Sequence, residues 1–126
     1  MALGEFEKSK THLEESLRIH REVGNRRFEG GALGTLGELL IRQGQIEAGL
    51  QALGAGIALL REVGDRLYVA KLLCTKGCAS LAGNGRAAAE SALSEAEMIM
   101  SELSAKPASD LGRRIEALRA ALVRAP

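Results

Sequence analysis

The tetrapeptide REVG occurs twice, at Arg21–Gly24 and again at Arg61–Gly64, forty residues on, each time followed by Asn or Asp and then Arg. Around it the recurrence is wider. Gly4 returns as Gly44, Glu7 as Glu47, Leu13 as Leu53, Leu33 as Leu73 and Gly37 as Gly77. A third, weaker copy keeps the same offset: Leu53 recurs as Leu93 and Glu62 as Glu102, while Val63 gives way to Leu103. Self-similarity at a fixed period of roughly 20–50 residues restricts a chain to stacked copies of one supersecondary unit. The units expected are 4–43, 44–83 and an incomplete 84–104, followed by a closing helix at 109–124.

Each unit reads as two helices. Ile46, Leu50, Leu53, Ile57 and Leu60 recur at three- and four-residue spacing and form one apolar stripe. Gly64 stops that helix, because glycine takes the left-handed cap conformation without a Cβ clash. Asp65 then caps the next helix with its carboxylate, and Gly24-Asn25 does the same one unit earlier. REVG is therefore a helix end and a tight turn, with Val packed inward and Arg and Glu in water. Helices are expected near 4–23, 26–42, 45–63, 66–82, 86–104 and 109–124, the last beginning after Pro107 with Ser109 or Asp110 as its cap. No segment alternates as a strand does, so the fold class is all-α with about six helices, in a single domain over 1–126.

Composition narrows the function classes. Seventeen basic residues face sixteen acidic ones, which leaves no electrostatic reason to bind nucleic acid or an acidic membrane. Aromatics are 2%, too few for base-stacking platforms. No segment reads as a secretory signal and no apolar run approaches the ~20 residues of a membrane helix, so a cytoplasmic location is expected. Cys74 and Cys78 lie four apart, where a disulfide would constrain almost nothing, and no further Cys or His cluster completes a zinc site. His12 and His20, the two histidines, have no nucleophile or carboxylate constellation spaced to join them. Gly83–Arg86 (GNGR) lacks the Gly-Lys-Ser/Thr ending of a phosphate loop. Neither catalysis, a metal nor a cofactor is expected.

The sharpest pattern is one of size. Ser9, Gly49 and Ala89 are aligned and small, as are Ser16, Gly56 and Ala96 seven residues on, and Gly37 and Gly77 on the other helix type. In this the chain resembles the tetratricopeptide-repeat family, in its forty-residue variety with a Gly-Asp turn, as found in kinesin light chains, Leu-Gly-Asn-repeat adaptors and bacterial regulatory arrays. Leu33–Arg66 is the portion nearest that pattern. Leu40 and Ser80 stand where the family usually has a large aromatic, and the third copy loses register after Leu103. The resemblance implies antiparallel helix pairs stacked as a short right-handed α-solenoid. It also implies a concave groove that binds a protein or peptide partner, within a larger regulatory or signalling protein. Carried over position by position, the groove lining is Arg27, Gly31, Gly34, Glu38 and Arg42 from one helix and Lys71, Cys74 and Cys78, with Leu81 at the edge, from the next.

Gly30, Gly31, Gly34 and Gly37 fall within one expected helix, and each costs ~1 kcal/mol relative to Ala. Close helix–helix contact explains Gly37. For Gly31 and Gly34 the choice stays open between such contact and a smooth groove floor. Arg27, Arg42 and Lys71 can meet carboxylates of a partner or pair with Glu29 and Glu38. By alignment the chain starts on the second helix of a repeat, as an excised piece of an array would. The alternative is a homodimer through the N-terminal helix, with Phe6, Leu13 and Leu17 as a bare face covered by a second chain. A small-ligand or redox-sensing domain built on Cys74 and Cys78 is the third reading.

Overall fold

A computed structural model describes residues 3–125. Six helices run in order: α1 (Leu3–Val23), α2 (Arg26–Arg42), α3 (Ile46–Val63), α4 (Arg66–Leu81), α5 (Arg86–Glu102) and α6 (Asp110–Arg124). No strand occurs among the described residues. The helix limits fall within two residues of those expected from sequence, because the signals that set them are local.

Those signals recur every twenty residues. Gly24, Gly44 and Gly64 have φ of +70°, +82° and +76°, and Asn84 and Ser104 continue the series at +61° and +54°. At each of the five, the amide one residue later bonds to the carbonyl five residues before it: Asn25 to His20 (2.9 Å), Gln45 to Leu40 (2.9 Å), Asp65 to Leu60 (3.0 Å), Gly85 to Ser80 (2.8 Å) and Ala105 to Met100 (3.0 Å). This is the Schellman closure, which satisfies carbonyls left over at a helix end. The forty-residue repeat is thus two twenty-residue modules, each a helix and a left-handed turn. Serine is strained in that region where glycine is not. Ser104→Gly is therefore expected to stabilise the protein by about 0.5–1 kcal/mol, read as a higher melting temperature. A lowered melting temperature would contradict the strain.

Two local expectations fail. Asn25 makes no side-chain cap bond; its backbone sits at φ −88°, ψ 81°, away from the extended conformation that aims a cap oxygen into the helix. Its carbonyl instead accepts from the amide of Glu29 at 3.0 Å. Val23 does not pack inward but is 70% exposed. At α6 the expected cap is present: the Ser109 hydroxyl accepts from the Gly112 amide at 3.1 Å.

Contacts cluster the helices into two compact units that divide between Asp65 and Arg66. In the first, α2 packs most extensively on α3. A Cβ built on Gly37 would lie 2.7 Å from Leu53 Cγ and 2.9 Å from the Gly49 carbonyl oxygen; one built on Gly30 would lie 2.9 Å from Leu60 Cγ. Positions that climb along α2 meet positions that descend along α3, so the two helices are antiparallel with their backbones nearly touching. An ion pair from Arg26 to Glu62 (2.5 Å) ties the start of α2 to the end of α3. α1 joins this hairpin through Phe6, which is buried with Leu39 and Leu40 and flanked by Leu13, Leu36 and Ala52.

The second unit repeats the arrangement. α4 packs on α5, and Arg66 pairs with Glu102 at 2.6 Å, forty residues on from Arg26 and Glu62. α6 then covers both helices. Leu118 sits over Gly77, and Leu118 and Leu122 bury Ala89 between them. The Arg86 guanidinium donates to the Leu122 carbonyl at 3.0 Å and so closes the last turn of α6. The tight hairpins are therefore α2/α3 and α4/α5, one helix out of phase with the frame 4–43 and 44–83.

Candidate functional site

The residues read as a groove lining meet different fates. On α2, Glu38 and Arg42 line an open cleft of about 190 Å³ beside α1, with Ser9, Leu13, Thr35 and Leu39. One helical turn separates Glu38 from Arg42, so a cation and an anion share the rim above a floor of two leucines. The Thr35 hydroxyl is turned back to the Gly31 carbonyl at 3.2 Å. Arg27 lies 3.7 Å from Asp65, beyond the α2/α3 hairpin's other end. Gly31 is half-buried.

Gly34 is not groove floor. It is buried, and its amide nitrogen lies 3.3 Å from where a Cβ on Gly56 would be, so it belongs to the crossing of α2 and α3. Close helix contact thus accounts for Gly30, Gly34 and Gly37 together.

On α4 the expected lining is largely covered by α6. Lys71 pairs with Asp110 at 3.2 Å. Arg114 reaches both Asp110 (3.2 Å) and the Thr75 hydroxyl (3.2 Å). Cys74 is buried, 2% exposed, and is no lining residue; Cys78 is exposed. The Lys71 ammonium, then the Arg114 guanidinium, hold the Asp110 carboxyl below its ordinary value of 3.8. A carboxylate with a lowered folded-state pKa contributes stability above its unfolded value and loses it as pH falls through the lowered one. Wild type and Asp110→Asn should therefore differ in melting temperature near neutral pH and converge in strong acid. Persistence of the difference at the acid end would show that the pair does not hold α6.

Burial, and secondarily the neighbouring Cys78, pushes the Cys74 thiol up to about 12. Partial burial also raises Cys78, with Arg124 opposing. A thiol that stays protonated is a poor nucleophile. A disulfide-exchange reagent should titrate one cysteine in the native protein and two after denaturation, and Cys78→Ser should abolish the native reaction. Two equivalent thiols in the native state would restore a redox pair.

The bare face expected on α1 is also corrected. Phe6 and Leu17 are 2% and 4% exposed, held in the first unit's own core. They are not available to a second chain in the folded protein. Leu13 alone of the three reaches an accessible surface, and that surface is the cleft. The exposed large apolar residues of α1 and the start of α2 are Leu3, Ile19, Val23 and Phe28, the last stacked on His20 with ring centres 5.4 Å apart. The His20 Nδ1 atom is shut off from solvent without a hydrogen-bond partner among the described residues.

Sequence reasoning named Leu13, Glu38 and Arg42 but not Thr35 or Leu39. Thr35 carried a signal, since it recurs as Thr75. Nothing in the repeat marks Leu39, whose counterpart is Ala79.

The fold and the cleft define a class: an all-helical protein of antiparallel, glycine-packed hairpins repeated at forty residues, with an open surface beside its first helix. Among the described residues no helix is long and apolar enough to cross a membrane, and no cluster of three or more His, Cys, Asp or Glu is placed to hold a metal ion. Compared with protein-family models, curated proteins and solved structures, the chain matches none.

Proposed function

We propose that this protein is a non-catalytic interaction module of the tetratricopeptide type, which binds a peptide or partner helix on behalf of a larger regulatory protein. The observation that carries the reading is the recurrence of one construction at forty residues: Arg26–Glu62 with glycines at the α2/α3 crossing, and Arg66–Glu102 with Gly77 in the next hairpin. Arrays built by repetition offer extended binding surfaces along their stacked helices. The α1/α2 cleft supports the same reading, since its apolar floor and charged rim suit one anchoring side chain flanked by polar contacts. The groove expected along α4 is not part of the proposal, because α6 lies on it.

The test is selection of binders from a random-peptide display library on the intact chain, followed by calorimetry. Peptides selected this way are expected to lose at least tenfold in affinity for Glu38→Lys/Arg42→Glu. Failure to select any saturable binder, or full retention of affinity by that variant, would sink the reading.

A further inference from the structure

Of the three groove cations, Arg27, Lys71 and Arg42, the protein engages two itself. Arg27 lies 3.7 Å from Asp65 and Lys71 3.2 Å from Asp110. Arg42 is exposed and has no ion pair or side-chain hydrogen bond among the described residues. The two carboxylates of α2 do not answer it. Glu29 is held by Arg21 at 2.9 Å. Glu38 stands one turn before Arg42, in the order that favours an ion pair, yet it is engaged with another group. The unanswered charge at the α1/α2 cleft is therefore a guanidinium.

The rest of the cleft limits what can bring a carboxylate to it. The floor is Leu13 and Leu39; Leu39 belongs to the cluster with Phe6 and Leu40, and Leu13 packs against that cluster. The unit's own core thus fixes the floor, which receives an aliphatic side chain without reordering. The Thr35 hydroxyl spends its hydrogen on the Gly31 carbonyl at 3.2 Å, so in the cleft wall it can only accept, as from a peptide N–H. About 190 Å³ is less than the roughly 300–1,000 Å³ of pockets that enclose a whole small molecule, so the cleft holds one side chain of something larger. Its lining runs two turns along α2, from Thr35 to Arg42, and one turn along α1, from Ser9 to Leu13. An open trough of that shape suits a chain that passes through, whereas a chain end calls for a closing wall.

We propose that the cleft binds an internal segment of a partner polypeptide, with an aliphatic side chain seated on Leu13 and Leu39 and a neighbouring aspartate or glutamate paired with Arg42. Arg42 stands about one turn, ~5 Å, beyond Leu39 on α2, which is one or two steps of an extended chain. A guanidinium offers a carboxylate two parallel donors, which an ammonium does not. The pair lies at an exposed rim, so it selects the partner more than it tightens the complex, and the anchor supplies most of the affinity. The inference rests on the interaction-module reading and gives its partner a chemistry: an aliphatic anchor with an acidic neighbour.

The test uses random peptides displayed between fixed glycine–serine linkers, so that no chain end is near, selected on the intact protein. Binders are expected to share an aliphatic residue with Asp or Glu within about two positions. Fluorescein-labelled, amidated versions of the best binder are then titrated by anisotropy. Replacing the acid by its amide should weaken binding about fivefold to wild type and leave binding to Arg42→Gln unchanged. Replacing the anchor by alanine should cost about tenfold with either protein. Arg42 is exposed, so Arg42→Gln should keep the wild-type melting temperature, and the peptide substitutions on wild type test the pairing even without it. Binders without an acid near the anchor, a preference for lysine there, or an amide replacement that costs Arg42→Gln as much as wild type would overturn the proposal. So would binders that appear only when the library ends in a free carboxylate, since the ligand is then a chain end. If selected peptides depend on Leu13 and yet carry no acid, this inference falls and the function stands; if no peptide is selected, both fall.

Discussion

Gly37→Val is expected to destabilise the first unit by about 3 kcal/mol, lowering its melting temperature by roughly 10 °C. Even a methyl group at this position would lie 2.7 Å from Leu53 Cγ and 2.9 Å from the Gly49 carbonyl oxygen. The first contact is with a side chain that has no solvent to retreat into, since Leu53 is fully buried. The second is with backbone, which yields only if α2 and α3 separate along their length. Separation would also strain the Arg26–Glu62 pair and open the gap between Gly30 and Gly56. Valine's modest advantage over glycine in helix propensity, a few tenths of a kcal/mol, is too small to compensate. Gly54 is the internal control. It lies in the same α3, but a Cβ there meets nothing within 4 Å. Gly54→Ala should therefore gain the full propensity term and stabilise by about 1 kcal/mol. Thermal unfolding followed by circular dichroism reads both. Equal effects of the two substitutions would mean that the close crossing is not present in solution.

Leu118→Ala should cost the second unit about 3–4 kcal/mol. Leu118 is fully buried and stands where three helices meet, beside Ala89 of α5 and against the notch at Gly77 of α4. Two of its neighbours, Ala89 and Gly77, are small and cannot reach into the space that leucine vacates, which leaves Leu122, Leu81 and Leu93 to fill it only in part. The lost transfer energy and the unfilled cavity add. The notch also supplies a compensating change. In the wild type a Cβ on Gly77 would meet Leu118 Cδ2 at 2.9 Å, so Gly77→Ala alone is unfavourable. In the Leu118→Ala background the same methyl group enters vacant space and adds helix propensity, so the sign reverses. A double-mutant cycle by urea denaturation measures this coupling. Strict additivity, or a cost for Leu118→Ala below about 1 kcal/mol, would mean that α6 does not pack here.

The parts of the fold legible in the sequence are those decided within one turn of helix. Gly24, Gly44 and Gly64 mark left-handed helix ends because other residues are strained there, and apolar spacing marks the helices between them. Even so, Asn84 and Ser104 hid the twenty-residue period, since they take the same conformation without being glycine. The small residues at 37, 49 and 56 announced close approach, because nothing else in a helix rewards the loss of a side chain. The candidate site was legible in part. Glu38 and Arg42 were expected as groove lining from the family resemblance and Leu13 as part of a bare face of α1, and the three share one cleft.

Which face of each helix stays open was not legible. Lys71 and Cys74 carry the spacing of a groove lining, yet one is paired with Asp110 and the other buried, because α6 arrives from more than thirty residues away. Phe6 and Leu17 look like an uncovered stripe, yet α1 turns them into its own unit and leaves Ser9, Leu13 and Ser16 half-buried. The amino-acid order alone thus determined where six helices begin and end and which positions let two of them touch. The tertiary structure decided which neighbour each face receives, since an amphipathic pattern states that a surface must be buried and carries no address for what buries it.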